Sequence, residues 1–166
     1  QKNVEFGLKM RKIPKKEREQ TAKEYISLVG LEGFANAFPK QLSGGMKQRV
    51  AIARTLANHP KILLMDEPFG ALDAQTRVVM QELLAKISRE MKSTVLFITH
   101  DIDEAILLAD RIYVMSRRPG TIREVIQVGL EGVRDHEILV NPEFLKLKQK
   151  IMDMLWQESQ EAAKDQ

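Results

Sequence analysis

Between Gln41 and Asp73 the chain reads QLSGGMKQRVAIARTLANHPKILLMDEPFGALD. Three groups in this stretch have residue types suited to phosphate chemistry. In Ser43-Gly44-Gly45, the two glycines let a ligand approach the backbone closely. A helix starting there would point free amides and its positive end at a phosphate, and the Ser43 hydroxyl adds a donor. The same three residues also suit a plain loop with Ser as helix cap. Asp66-Glu67 follows the apolar ILLM, so it is expected at the carboxyl end of a strand, where open α/β sheets bind ligands. A first carboxylate there can hold Mg²⁺ through water, and a second can orient or deprotonate an attacking water. The bland alternative is an acidic pair opening a loop. Asp73 precedes a helical pattern and suits an N-cap. Farther on, His100 ends another apolar run and can donate to a phosphate oxygen, although a strand-end His is more often structural. His59 and His136 fall in loops and read as surface residues.

Positioning these groups requires an alternation of strands and helices. KILLMDEP, bounded by prolines, and STVLFITH both read as fully buried parallel strands. Between them, Ala74 to Met91 reads as a helix with Val79, Leu83, Leu84, Ile87 and Met91 on one stripe. Gly45 to Ala57 reads as a helix with one apolar side. Upstream, Lys15 to Leu28 has Ala22, Tyr25, Ile26 and Val29 at helical spacing, with Gly30 as a stop. Asn3 to Lys12 is ambiguous by period, with Val4, Phe6, Leu8 and Met10 alternating, while its content favours a helix. Downstream, Asp101 and Glu104 form a D-x-x-E pattern close to a capping box. RIYVM and TIREVIQV alternate and are joined by SRRPG as a hairpin. The segment 129–142 reads as irregular. Pro142 opens a last helix with Phe144, Leu147, Ile151 and Leu155 on one face, and the polar tail after Glu158 is expected to fray. Three parts result: a helical portion over 1–45, an α/β core portion over 46–128, and an irregular segment with a helix over 129–166.

The bulk composition bounds the class. The 166 residues carry 26 basic and 23 acidic side chains, a formal net charge of +3. A balance so close to even gives little support to a nucleic-acid partner, and none is expected. The hydrophobic content of 43% and charged content of 30% are ordinary for a globular domain. The chain has no cysteine, which excludes disulfides and thiolate metal sites. No apolar run reaches the roughly 18–20 residues that a bilayer span needs.

Taken together, these residues closely resemble the ATP-binding subunit of ABC transporters. LSGGMKQR resembles the ABC signature, ILLMDEP the Walker B strand with its catalytic Glu, FGALD the D-loop, and VLFITHD the strand of the switch histidine. Order and spacing agree, and the similarity extends over most of the chain. MDEPFGALDAQTR, THDIDEAILLADRIYVMS, RRPGTI and NPEFLKLKQKI are most similar to importers of the nitrate, sulfonate, taurine and bicarbonate type. The resemblance implies a P-loop NTPase fold with ATP and Mg²⁺ as cofactors. Ser43, Gly44 and Gly45 would face the γ-phosphate of an ATP bound mainly by the other subunit of a head-to-tail dimer. Gln48 would assist at the signature, and Lys47 stands where many relatives have Gln. Asp66 would hold Mg²⁺ through water, and Glu67 would be the base or water-positioning residue. Asp73 would lie across the dimer interface, and His100 would touch the γ-phosphate. The implied partners are a second ATP-binding subunit, membrane-spanning permease subunits and, indirectly, a solute-binding protein. The implied location is peripheral, on the cytoplasmic face of the membrane.

Two features of the family pattern are not found in these residues. There is no G-x-x-x-x-G-K-[ST] loop, and no glutamine loop. The chain also opens without Met. The expectation is therefore an incomplete ABC ATPase fold, roughly the C-terminal two-thirds of such a subunit, with the N-terminus a cut. Two other classes differ from a transporter subunit in features legible in the residues. ABC-type proteins of translation carry a TNHLD-like string where this chain has FGALD, and those of DNA repair insert long coiled coils. A non-enzymatic regulatory fragment would not require an intact Glu67 and His100.

Overall fold

The computed structural model describes residues 1–117, 119–130 and 136–164. It divides into two compact units, Gln1–Ile98 and Thr99–Gln166.

The first unit opens with helices α1 (Lys2–Met10) and α2 (Lys15–Leu28), followed after two short 3₁₀ turns by α3 (Gly44–Leu56). All three helices pack on one another. The ambiguous first segment is helical, and its burial shows why. A strand would put Val4, Phe6, Leu8 and Met10 on one face; the helix buries Val4 and Leu8, one turn apart, and exposes Phe6 and Met10. Helix α2 buries Ala22, Tyr25 and Ile26 as its spacing predicts, and Val29 just past its end. It stops at Gly30, whose φ of 64° lies in the left-handed region where glycine carries no Cβ penalty.

Strands β1 (Ile62–Asp66) and β2 (Thr94–Ile98) run parallel, with Ile62 opposite Thr94 and Asp66 opposite Ile98. Helix α4 (Ala74–Met91) makes the crossover that a parallel pair requires. Its buried stripe is Met80, Leu84 and Ile87; Val79, expected inside, is exposed. The strands also depart from expectation, because neither is buried on both faces. Leu63 is 2% exposed and Val95 and Phe97 are half-buried, while Ile62, Leu64, Leu96 and Ile98 are exposed. Double burial needs a layer on each face, and in this two-stranded sheet one face alone is packed.

The second unit contains α5 (Ile102–Leu108), β3 (Arg111–Met115), β4 (Ile122–Gln127) and α6 (Pro142–Lys164). Strands β3 and β4 pair antiparallel, as their alternation predicts, with Ile112 opposite Ile126. Val114 and Ile126 enter a core with Ile106, Leu107, Phe144 and Ile151, and Tyr113 and Val125 face outward. In the SRRPG join, the Ser116 hydroxyl donates to the Pro119 carbonyl at 2.6 Å; Arg118 lies outside the described residues. So do 131–135 of the segment read as irregular, whose residues His136–Val140 form a 3₁₀ turn. Helix α6 continues past Glu158 to Lys164, where fraying was expected, and 165–166 lie outside the description. On α6 the packed face is completed by Met154, and Leu155 is exposed.

Candidate functional site

In the first unit, the signature-like segment and the acidic pair are joined by direct contacts. Ser43 is the N-cap of α3: its backbone is extended and its Oγ accepts from the Met46 N–H at 3.2 Å. A hydroxyl carries two acceptor sites and one proton, so this cap leaves the Ser43 proton for a ligand. Ser43 and Gly44 are exposed. Around Gly44 the nearest atom to a Cβ would be that of Ala71, at 4.0 Å, so the approach to the helix N-terminus is open. Gly45 is different. A Cβ there would stand 3.0 Å from the Ala71 carbonyl oxygen and 3.3 Å from Leu72 Cδ2. Its lack of a side chain lets α3 lie against the chain after β1.

That chain is a tight turn. Asp66 is the last residue of β1 and is exposed. Glu67 follows with φ of 43°, an uncommon conformation for a residue with a side chain. Its N–H donates to the Ile98 carbonyl at 2.9 Å, and its own carbonyl accepts from the Gly70 N–H at 3.2 Å. Pro68 sits second in that turn, the position its ring pre-sets. Phe69, 1% exposed, anchors the turn in the interior. The Glu67 carboxylate lies over Gly70, with Oε2 3.7 Å from where a Cβ of that residue would be.

Gln48 ties the two segments together. Its Nε2 donates to the Glu67 carbonyl at 2.8 Å, and its Oε1 accepts from the Ala71 N–H at 3.0 Å. The family resemblance implies a nucleotide-binding role for Gln48 at the signature; in the structure both ends of its amide bond backbone groups. Next to it, Arg49 Nη1 donates to the Val29 carbonyl at 3.0 Å, holding the C-terminal end of α2.

Asp73 caps α4, its Oδ1 accepting from the Thr76 N–H at 3.0 Å. That backbone bond, then the Thr76 hydroxyl and the Arg49 charge, hold its carboxyl below the usual range. In the second unit, His100 is exposed and precedes α5. The D-x-x-E pattern beside it acts as a cap, Asp101 Oδ1 accepting from the Glu104 N–H at 3.1 Å.

Among the described residues, no three His, Asp or Glu side chains converge on a metal. A lone exposed carboxylate at a strand end fits Mg²⁺, which keeps its waters and takes one or two carboxylates together with substrate phosphates. The exposed α3 N-terminus with its free hydroxyl proton fits a phosphate of ATP.

The ABC transporter family model matches residues 1–70. An ABC transporter ATP-binding protein of Methanocaldococcus jannaschii is 56% identical over 154 residues, covering 93% of this chain and 57% of the relative. The nitrate import ATP-binding protein NrtD of a Synechocystis species is 52% identical over 159 residues, covering 92% and 60%. A taurine import ATP-binding protein of Pelagibacter ubique is 44% identical over 164 residues, covering 96% and 62%. Among solved structures, a dimeric bacterial ABC transporter cassette is similar with a TM-score of 0.68 at 40% identity, covering 78% of this chain and 55% of that one. The expected P-loop NTPase fold, in its ABC ATPase form, is therefore the one observed. The chain spans between half and two-thirds of the length of these relatives and belongs to the ABC transporter ATP-binding family.

Proposed function

We propose that this chain is part of an ATP-hydrolysing subunit that energises import of a small solute, an oxyanion such as nitrate, a sulfonate or taurine. The subunit would work peripherally on the cytoplasmic face of the membrane, with permease subunits and, through them, a solute-binding protein. Support comes from relatives named for nitrate, taurine and aliphatic sulfonate import, and from a similar solved cassette that is dimeric and bound to ADP and phosphate. The observation that supports the reading is the packing of the Ser43 helix against the Glu67 turn, which fixes an exposed helix N-terminus relative to an exposed carboxylate.

In this reading bound ATP would supply the γ-phosphoryl group that water attacks, with ADP as the leaving group, and Mg²⁺ would supply charge neutralisation. Asp66 holds the ion through water, and Glu67 orients or deprotonates the attacking water. The Ser43 hydroxyl and the amides of Gly44 and Gly45 donate to γ-phosphate oxygens of an ATP gripped by the second subunit. His100 donates to a γ-phosphate oxygen, and Asp73 lies at the interface between subunits.

The test uses the longer subunit that carries this sequence. Glu67→Gln is expected to keep ATP binding and to slow hydrolysis by at least about 10²-fold, the lower range for loss of a general base. Near-normal turnover removes Glu67 from the role. Ser43 is tested in mixed dimers, with Ser43→Arg in one subunit and the P-loop Lys replaced in the other. Both lesions should fall in one composite site and spare the second; equal damage to both sites overturns action across the interface.

A further inference from the structure

The contacts of Gln48 lead beyond the nucleotide role its position in the signature implied. A side-chain amide has one acceptor end and one donor end. The Glu67 carbonyl can only accept and the Ala71 N–H can only donate, so one orientation of the Gln48 amide satisfies both, and it is the one observed. The two backbone groups bracket the turn that carries Glu67. The bracket is not the only joint: Gly45, one turn earlier on the same face of α3, lets the helix sit against the Ala71 backbone. Glu67 needs such support, because a left-handed backbone at a non-glycine residue persists only where its surroundings over-determine it.

We propose that Gln48 is a positioning residue: it locks the Glu67–Ala71 turn to α3, so that a shift of the α3 N-terminus moves the Glu67 of the same chain. The inference rests on the proposed function for its consequence. There, the α3 N-terminus serves the ATP of one composite site and Glu67 serves the other. Gln48 then links the two sites within a single subunit. Phosphate contact at Ser43 in one site fixes the turn that orients water in the other. Arg49, holding the end of α2 from the next position, fastens the same helix on its other side.

The experiment uses the longer subunit that carries this sequence, as wild type and as Gln48→Met, a near-isostere without either hydrogen bond. Hydrogen exchange is read first, because it needs no turnover. The Ala71 amide should exchange about tenfold faster in Gln48→Met, the scale of one lost hydrogen bond, with amides inside α3 unchanged. Equal exchange at Ala71 in the two proteins overturns the bracket. ATP hydrolysis is read second: kcat should fall about tenfold with KM within twofold, the signature of a group that does not bind substrate. A rise in KM at constant kcat overturns the positioning role in favour of nucleotide contact. Gln48→Glu, which keeps the acceptor for Ala71 and loses the donor for Glu67, should lie between the two. Mixed dimers then assign the chain. Gln48→Met placed on the subunit that already carries Glu67→Gln should turn over at the rate of the dimer with Glu67→Gln alone. Placed on the opposite subunit, it should lower that rate a further tenfold. The reverse pattern overturns action through the chain's own Glu67. A wild-type subunit without hydrolysis sinks the ATPase reading instead, and the Ala71 exchange rate still decides the bracket.

Discussion

Two glycines that are adjacent in the sequence meet different demands. Gly44 has open space around it, while Gly45 faces a backbone oxygen that cannot move aside as a side chain could. Gly45→Ala is expected to destabilise the subunit by about 1–3 kcal/mol, the cost of overpacking. Gly44→Ala should change stability by no more than about 1 kcal/mol and should favour the helix. Urea unfolding of both variants checks the contrast; equal values would mean that α3 is not pressed against Ala71. Asp73 gives a second prediction, in pH. Its carboxyl titrates below the usual range when folded, chiefly through the Thr76 N–H. The stabilisation from its charge is therefore fully present above pH 3.8, its unperturbed value, and is lost as pH falls through the lower folded value. Asp73→Asn keeps an acceptor for the cap and removes the charge. The stability gap between it and the wild type should be constant from pH 7 to pH 5 and close below pH 3.8. A gap that stays open in acid would count against the assignment.

At the scale of elements, α5 is the one most dependent on its cap. It has seven residues, too few to be stable without tertiary support. The Asp101 carboxylate satisfies the Glu104 N–H, and the chain before it is turned by the Asp101 N–H bonding Thr99 Oγ1 at 3.0 Å. Asp101→Ala should cost about 1 kcal/mol, within the usual range for a lost N-cap, and Asp101→Asn far less. Thermal unfolding of the two variants measures the difference. Because His100 is the residue before this cap, Asp101→Ala should also reduce ATP turnover in the longer subunit if His100 has the proposed role.

At the scale of the molecule, the parallel pair carries an apolar face open to solvent. Ile62, Leu64, Leu96 and Ile98 are between 57% and 70% exposed, and an open strand edge beside such a face invites pairing with another chain. These 166 residues, expressed by themselves, are expected to self-associate. Leu64 and Leu96 are directly opposite in register, so Leu64→Glu with Leu96→Lys places a complementary pair across the strands and should restore a monomer. Sedimentation velocity reads both; a monomeric wild-type stretch at tens of micromolar would end this idea. The same stretch should not grip Mg·ATP. A P-loop supplies several charge-assisted hydrogen bonds of about 1.5–3 kcal/mol each. Three or four of them amount to about as much as the roughly 8 kcal/mol of a micromolar complex. Titration calorimetry is expected to show no binding tighter than about millimolar, and a low-micromolar constant would overturn the argument.

The amino-acid sequence by itself determined the order of the elements, the caps and the family. Those features depend on residues close together: the 3.6-residue period of α2, the alternation of β3 and β4, Ser43 and Asp73 three residues before the amides they cap, and the runs LSGG and ILLMDEP. Tertiary structure alone decided which face of an all-apolar strand is packed, since ILLM is hydrophobic on both sides and gives no alternation to read. It also decided which way α1 turns its four apolar residues. It decided the partners of Gln48, which lie 19 and 23 residues away, and the reason for Gly45. A residue's type states what it can bond or how close it lets a neighbour come. The neighbour itself is chosen by the fold, because contacts across such separations depend on how α3 lies against the turn after β1 and not on any local pattern.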